Sequence, residues 1–422
     1  MAKNALYVQS GGVTAVINAT ACGLIQEARR LHWQSPERIG KVYAGHDGLL
    51  GVLAEDLIDT SLERDVDIAA LRHTPGGAFG SSRYHLGSLE THRAHFERLR
   101  DVLQAHEIAY LFMNGGDGSM GSAWHMAQTL SAMGYPLTVI GIPKTVDNDL
   151  ALTDTCPGFG SVAKYVASSM REAGFDVASM ARTSTKVFIL EAMGRHAGWI
   201  AAACGLAAER EGDPPHLLLF PEVPFDAEAF LAKVKDCVER YGYCAIAVAE
   251  GLCADNRCYL GDSISNQALH DNLTVGVGRF IAELIHVRLG YKYHLALADY
   301  LQRAARHQAS ATDVTQAHAL GVAAVARAVA GENNVMLTLR RLSDRPYCWD
   351  IGQVPLNAVA GISRRMPDEF ISADGFHITE ACRTYLQPLI EGEDPPPYRN
   401  GLPDYIRLQN RRLNQKLPPF VP

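Results

Sequence analysis

Six short apolar runs punctuate the first 250 residues of this chain, each ending in a polar or glycine-bearing turn. Ala5–Val8 runs into Gly11-Gly12, Ile108–Met113 into Asn114-Gly-Gly-Asp-Gly-Ser119, and Leu137–Ile142 into Pro143-Lys144. Val187–Leu190 leads to Met193-Gly-Arg195, while Leu217–Phe220 and Ala245–Ala249 stop at Pro221-Glu222 and Glu250-Gly251. Continuous rather than alternating apolar runs belong to strands buried on both faces, as in a parallel sheet. Helical segments follow several of them, one rich in Ala, Ile and Leu up to Arg30 and another through Ala132. Strand, glycine turn and helix in repetition predict a doubly wound α/β fold, whose ligands sit beyond the carboxyl ends of the strands. The expected division is an α/β domain over 1–160, a second over 161–303, and a C-terminal extension over 331–422. A helical stretch at about 304–330 returns to the first domain. Glu391–Pro397 is acidic and proline-rich, and Leu417–Pro422 holds three more prolines. That tail reads as an extended arm on the body or on a neighbouring subunit.

A length of 422 residues exceeds one compact domain, and 47% hydrophobic with 20% charged residues excludes disorder. With 39 basic against 46 acidic residues the net charge is −7. No basic patch offers itself to nucleic acid or an anionic membrane, so anions must be held by local donors. No stretch reaches the ~18 uncharged apolar residues of a membrane span. Met1-Ala-Lys-Asn passes at once into Ala5-Leu-Tyr-Val with no signal core, so a cytoplasmic protein is expected. Among nine cysteines the closest pairs, Cys237/Cys244 and Cys253/Cys258, lack zinc-site spacing and read as reduced, mostly buried thiols.

Gly116-x-Gly118-x-x-Gly121 matches the dinucleotide fingerprint, follows a strand and opens a helix. Between its glycines stands Asp117, a carboxylate where a pyrophosphate bridge would have to approach. Two anions there repel unless a cation joins them, which points to Mg²⁺ and phosphoryl chemistry rather than hydride transfer. A looser match, Gly158-x-Gly160-x-x-Ala163, follows Cys156-Pro157 instead of a strand. Gly11-Gly12, Gly76-Gly77 and Gly115-Gly116 can together form a phosphate cradle of backbone N–H groups, with Arg83 adding charge. In Pro143-Lys-Thr-Val-Asp-Asn-Asp149 a lysine and two carboxylates crowd one turn after a strand. Lys144 can neutralise charge on a transferred phosphoryl group, and a carboxylate can take the proton of an attacking hydroxyl. In an extended turn Asp147 and Asp149 project alike, so only one need touch the metal. The bland alternative is a polar turn whose aspartates cap a helix.

Asn114-Gly-Gly-Asp-Gly-Ser119, Pro143–Asp149, Met193-Gly-Arg195 with His-Ala-Gly-Trp199, and Tyr300-Leu-Gln-Arg303 together resemble the phosphofructokinase family, in order and spacing from Gly11 to about Arg303. The resemblance implies two Rossmann-like doubly wound domains with the active site in the cleft between them, the first binding the phosphoryl donor and the second the sugar phosphate. It implies Asp147 as acceptor of the proton from the 1-hydroxyl of fructose 6-phosphate, Asp117 on Mg²⁺, and Asp149 as a second acid near the metal. Gly11, Gly12, Arg83, Gly116 and Ser119 fall on the donor side. Thr145, Val146, Met193, Gly194, Arg195, Glu250, Tyr300, Leu301, Gln302 and Arg303 fall on the sugar side. Lys186 matches a cation that reaches the sugar's phosphate from a neighbouring subunit, implying a homodimer or homotetramer. Glu222 reads as structural, and the histidines, His73 and His196 among them, have no metal-ligand spacing.

The chain's length and C-terminal extension resemble the longer, pyrophosphate-dependent branch, whose donor is pyrophosphate and whose products are fructose 1,6-bisphosphate and phosphate. Such a reaction is reversible and serves glycolysis and gluconeogenesis. Members of that branch tend to carry an aspartate after the metal position, filling the space of a nucleotide α-phosphate, and a lysine in the proline turn. This chain has Lys144 but Gly118, so the two determinants disagree and ATP stays open as the alternative donor. Lipid and NAD kinases share the glycine loop but leave Met193-Gly-Arg195 unexplained. A silent regulatory subunit is the non-enzyme alternative.

Overall fold

The computed structural model describes residues 3–255, 258–259 and 276–420, so the first two and last two residues of the terminal segments discussed above lie outside it. All six apolar runs are strands. β1 (Asn4–Gln9), β2 (Val42–Gly45), β3 (Leu57–Asp59), β4 (Ile108–Gly115) and β5 (Thr138–Pro143) come first. Next are β6 (Val187–Ala192), β7 (Leu217–Leu219) and β8 (Cys244–Ala249), with the short strands β9 (Cys253–Asp255) and β10 (Cys258–Tyr259). β11 (Tyr293–Leu297), β12 (Val335–Asp344) and β13 (Tyr347–Pro355) complete the sheets that matter for the site. One sheet has seven strands in the order β13-β12-β5-β4-β1-β2-β3, the other four in the order β11-β6-β8-β7. Every pairing in the smaller sheet is parallel; the larger is parallel inside with antiparallel pairs at its two edges.

The hairpin β12–β13 at one edge of the larger sheet escaped the sequence pattern for a physical reason. β12 is buried over Met336–Leu339 and only half covered beyond, β13 is fully buried only at Gly352, and their facing Arg340 and Asp350 form an ion pair on the open side. A buried run this short, interrupted by Thr338 and passing into a half-exposed hairpin, gives no long apolar signal. The extension therefore starts by adding a hairpin to the first sheet, β12 lying beside β5. Further on, Arg306 and Arg72 bond the Asp394 carboxylate at 2.7 and 3.0 Å, which pins the acidic segment to the chain's own body. The tail then runs along β3, with Leu413 N–H on the Leu57 oxygen and Asp59 N–H on the Arg411 oxygen, covering that edge.

Five helices position the cleft: α1 (Ile17–Gln34), α2 (Asp117–Ala132), α3 (Phe159–Met180), α4 (Asp299–Ala304) and α5 (Ala311–Val329). The helical stretch expected over about 304–330 is a 3₁₀ turn, Arg306–Gln308, followed by α5, which starts where the Ser310 hydroxyl accepts from Asp313 N–H. Asp313 in turn reaches the N-terminus of α3, accepting from Gly158 N–H and from Ser161 N–H and Oγ. The looser glycine fingerprint is thus capped by the protein's own buried carboxylate and has no room for a dinucleotide phosphate. Among the described residues no helix is long and apolar enough to cross a membrane.

α5 packs on α1 at backbone contact. A Cβ on Gly23 would stand 2.2 Å from the His318 oxygen, and one on Gly321 would stand 2.1 Å from the Thr20 oxygen. Neither helix backbone can yield locally. Gly23→Ala or Gly321→Ala is therefore expected to destabilise the protein by about 1–3 kcal/mol through overpacking, measured by denaturant unfolding.

Candidate active site

The cleft between the sheets, about 630 Å³, is lined by the turns that follow β1, β4, β5, β6, β8 and β11. Six strands thus deliver their carboxyl ends to one place. On the first sheet, Gly11 has φ +78, a left-handed conformation that suits glycine, and turns the chain after β1. Gly12 is bare because the Arg303 guanidinium lies 2.9 Å from where its Cβ would be. Gly116 precedes α2, so Asp117, Gly118 and Ser119 form that helix's first turn, where Gly118 N–H bonds the Asp117 carboxylate, Ser119 N–H bonds the Gly116 oxygen, and the positive end of the helix dipole faces the cleft. Ser119 Oγ bonds Ser10 Oγ at 2.8 Å and ties the two turns together.

The turn after β5 carries the charge. Lys144 is buried and donates to the carbonyl oxygens of Ser10 at 2.7 Å and Gly12 at 2.6 Å, leaving its third N–H for a ligand. Burial lowers its pKa to about 8, with Asp147 pulling it back up and Arg303 pushing it further down. Asp147 is displaced the other way, to about 7, by burial first and then by Asp149 and Glu250. A carboxyl poised near neutrality can both take and return a proton. Asp149 is raised by burial and then by the charge of Asp117, while Asp147 feels Asp149 as well as Glu250 and Lys144, so the carboxylates form one electrostatically coupled group. The turn is not extended: Asn148 between them has φ +54. Among the described residues no cluster of three or more His, Cys, Asp or Glu side chains is built for a metal. The Asp117–Asp149 pair fits Mg²⁺, which takes one or two carboxylates and completes its shell with phosphate oxygens and water.

On the second sheet, Met193, Arg195 and His196 follow β6 and Glu250 follows β8. Glu250 is raised by burial but accepts from Gly194 N–H and sits near Arg195, which lower it. The Tyr300–Arg303 segment divides by helical spacing. Tyr300 and Arg303, three apart on α4, share the cleft face, and the guanidinium stacks 3.7 Å above the ring. Leu301 points away and is exposed, while Gln302 is buried and accepts from Met193 N–H at 3.3 Å. Neither of these two lines the cleft, a departure from the sugar-side set expected of the segment. Lys186 starts β6 at the opposite end from Met193 and bonds the Ala181 oxygen, so it does not reach its own chain's cleft. Gly76-Gly77 is also outside it: their turn packs on Gln9 and Asn18, which take the N–H groups of Phe79 and Ala78.

Ser10, Val13, Tyr84, His85, His196 and Asp299 line the cleft without having been singled out for it. A less visible contributor is Arg364, in the C-terminal extension. Its guanidinium donates to the Asn148 oxygen at 2.9 Å and to the oxygens of Thr153 and Asp154 at 2.7 and 2.8 Å, and its own N–H meets the Asp149 oxygen. Tyr385 joins it, accepting from Asn148 Nδ2 at 3.0 Å. Nothing in local sequence connects an arginine 216 residues downstream with this turn. Glu222 accepts from Gly198 and Met366 N–H groups and so braces the loop after β6.

A family model described as phosphofructokinase matches residues 4–328. The chain belongs to the phosphofructokinase family. It is 56% identical over 417 residues to a pyrophosphate–fructose 6-phosphate 1-phosphotransferase of Halomonas elongata, covering 99% of both chains. Identity to the protein of the same name from Methylococcus capsulatus is 56% over 416 residues, covering 99% of this chain and 98% of that one. The crystal structure of a pyrophosphate-dependent phosphofructokinase from Nitrosospira multiformis superposes with a TM-score of 0.92 at 54% identity, covering 100% of both chains.

Arg364→Lys keeps a charge but loses the planar fork that spans three carbonyls. The turn bearing Asp147 should then be held less well. Steady-state kinetics below the onset of unfolding should show kcat reduced on the order of 10–100-fold with a smaller change in KM.

Proposed function

We propose that this protein transfers a phosphoryl group from pyrophosphate to the 1-hydroxyl of fructose 6-phosphate, giving fructose 1,6-bisphosphate and phosphate, with Mg²⁺. The observation that carries the reading is Asp147 set beside Lys144 in one buried turn where the ends of both sheets meet. Fructose 6-phosphate lies on the side of Met193, Arg195, Glu250 and Arg303, its 1-hydroxyl facing Asp147. Asp147 takes the hydroxyl proton as the sugar oxygen bonds to phosphorus, the bridging P–O bond breaks, and phosphate leaves. Lys144 and the positive end of the α2 dipole balance charge on the phosphoryl group in flight. Asp117, with Asp149 beside it, would hold Mg²⁺, which would neutralise charge on the donor's oxygens when bound.

A proton acceptor with a pKa near 7 suits a reversible reaction, since the protonated form returns the proton when fructose 1,6-bisphosphate is dephosphorylated. Support for pyrophosphate as donor comes from the full-length likeness to relatives named for it. Gly118 favours a second reading, ATP, because a Cβ there meets nothing closer than 3.7 Å. A second copy of the chain belongs to the working form in this reading, since Lys186 faces away from its own cleft.

Three outcomes test it. Phosphorylation of fructose 6-phosphate assayed side by side should proceed at least tenfold faster with pyrophosphate–Mg²⁺ than with ATP–Mg²⁺; the reverse ranking rejects the donor. Asp147→Asn should lower kcat by about 10²–10⁴-fold, and full activity would remove Asp147 as the base. For the forward reaction Asp147 must be ionised and Lys144 protonated. The kcat/KM profile should therefore rise as pH passes about 7 and fall above about 8, while the reverse reaction, needing protonated Asp147, has its optimum on the acid side of the forward one.

A further inference from the structure

We propose that His85 restricts this site to a short phosphoryl donor by standing in the space that Gly118 leaves open and binding the donor's far phosphate. The inference rests on the donor reading above. It starts on one face of α2, where Gly118, Gly121 and His125 follow one another at spacings of three and four. The two glycines leave that face bare, and the His85 imidazole lies along it. A Cβ on Gly118 would stand 3.7 Å from His85 Nδ1, and one on Gly121 would stand 3.8 Å from its Cε1, both ordinary van der Waals contacts. His125, next on the face, has its pKa lowered by burial and then by the neighbouring His85.

The backbone around His85 is anchored, although the ring itself is exposed. Leu86 N–H donates to Ser122 Oγ at 3.1 Å, fastening the segment to α2. Tyr84 also borders the cleft, and its ring packs 6.4 Å from that of His92 and 6.0 Å from that of His95. Arg83 and His85, on either side of it, both line the cleft opposite Gly116–Ser119. An aspartate at 118 would project into the place that His85 occupies, so the chain fills the same space from another loop. The filling group differs in chemistry. A carboxylate repels an extra phosphate, whereas an imidazole N–H donates to a phosphate oxygen and its ring excludes what lies beyond. A diphosphate ends at the ring; a nucleoside triphosphate, which continues into a third phosphate and a ribose, has to displace it.

The experiment uses the full-length protein and measures KM and kcat for pyrophosphate, tripolyphosphate, ATP and fructose 6-phosphate in wild type, His85→Ala, His85→Asn and His85→Ala/Gly118→Asp. In His85→Ala the KM for pyrophosphate is expected to rise at least fivefold with that for fructose 6-phosphate within twofold of wild type, and turnover with tripolyphosphate and ATP to increase at least fivefold. His85→Asn, which keeps an N–H donor, should fall between, and the double variant should again reject ATP. A wild type that prefers pyrophosphate with His85→Ala unchanged in donor KM and donor range overturns the inference and leaves the donor reading standing. A fall in kcat alone also overturns it, because His85 would then act on the chemical step or the fold. A wild type that uses ATP as well as pyrophosphate overturns both.

Discussion

The buried ammonium of Lys144 is the contact on which the site depends. It bonds the carbonyl oxygens of Ser10 and Gly12, so the turn after β5 is fastened to the turn after β1 across the intervening β4. Burying a cation is costly unless it is compensated; here two backbone oxygens take two of its N–H groups and the charge of Asp147 acts on it electrostatically. The arrangement works in both directions. The lysine keeps part of the ionised form of Asp147 accessible near neutral pH against the repulsion of Asp149 and Glu250, and Asp147 keeps the lysine charged against its desolvation. Catalytic charge and structural tie reside in the same ammonium group.

Around this contact the C-terminal extension acts as scaffolding that reaches inward. Its first hairpin extends the sheet beside β5, and Arg364 and Tyr385 clasp the peptide that carries Asn148 with its positive φ. A left-handed residue thus stands between two aspartates that both act on Lys144, with Asp149 also close enough to Asp117 to feel its charge. That strained geometry persists because the surrounding bonds determine it from several sides. The same logic appears on α3, where Asp313 from α5 supplies the cap and consumes an anion site that the glycine pattern advertised.

A site for highly charged ligands in a chain of net charge −7 is a local construction. The dipole at the start of α2, the Arg303 guanidinium stacked on Tyr300, Arg83 and Lys144 supply the positive potential, and none needs a basic surface. Donor size is then decided at the mouth of that cradle. There a missing side chain at 118 and a ring from residue 85 are two halves of one spatial question.

Six strands, the helix ending at Ala132, the family, and the turn holding Lys144, Asp147 and Asp149 were legible in the chain itself. Continuous apolar runs and glycine turns are local consequences of burial on both faces and of tight backbone approach, so a single stretch of sequence carries them. The hairpin of β12 and β13 was not legible, because its buried run is short and its outer half is partly exposed and takes its identity from the strand it joins. Nor did local pattern separate Tyr300 and Arg303 from Leu301 and Gln302, since which face of α4 meets the cleft is fixed by packing of one sheet against another. Arg364 and His85 belong to the same class. Their contacts join residues from distant parts of the chain or separate loops, and only the tertiary structure could decide which side chain stands beside Asn148 and which lies over Gly118.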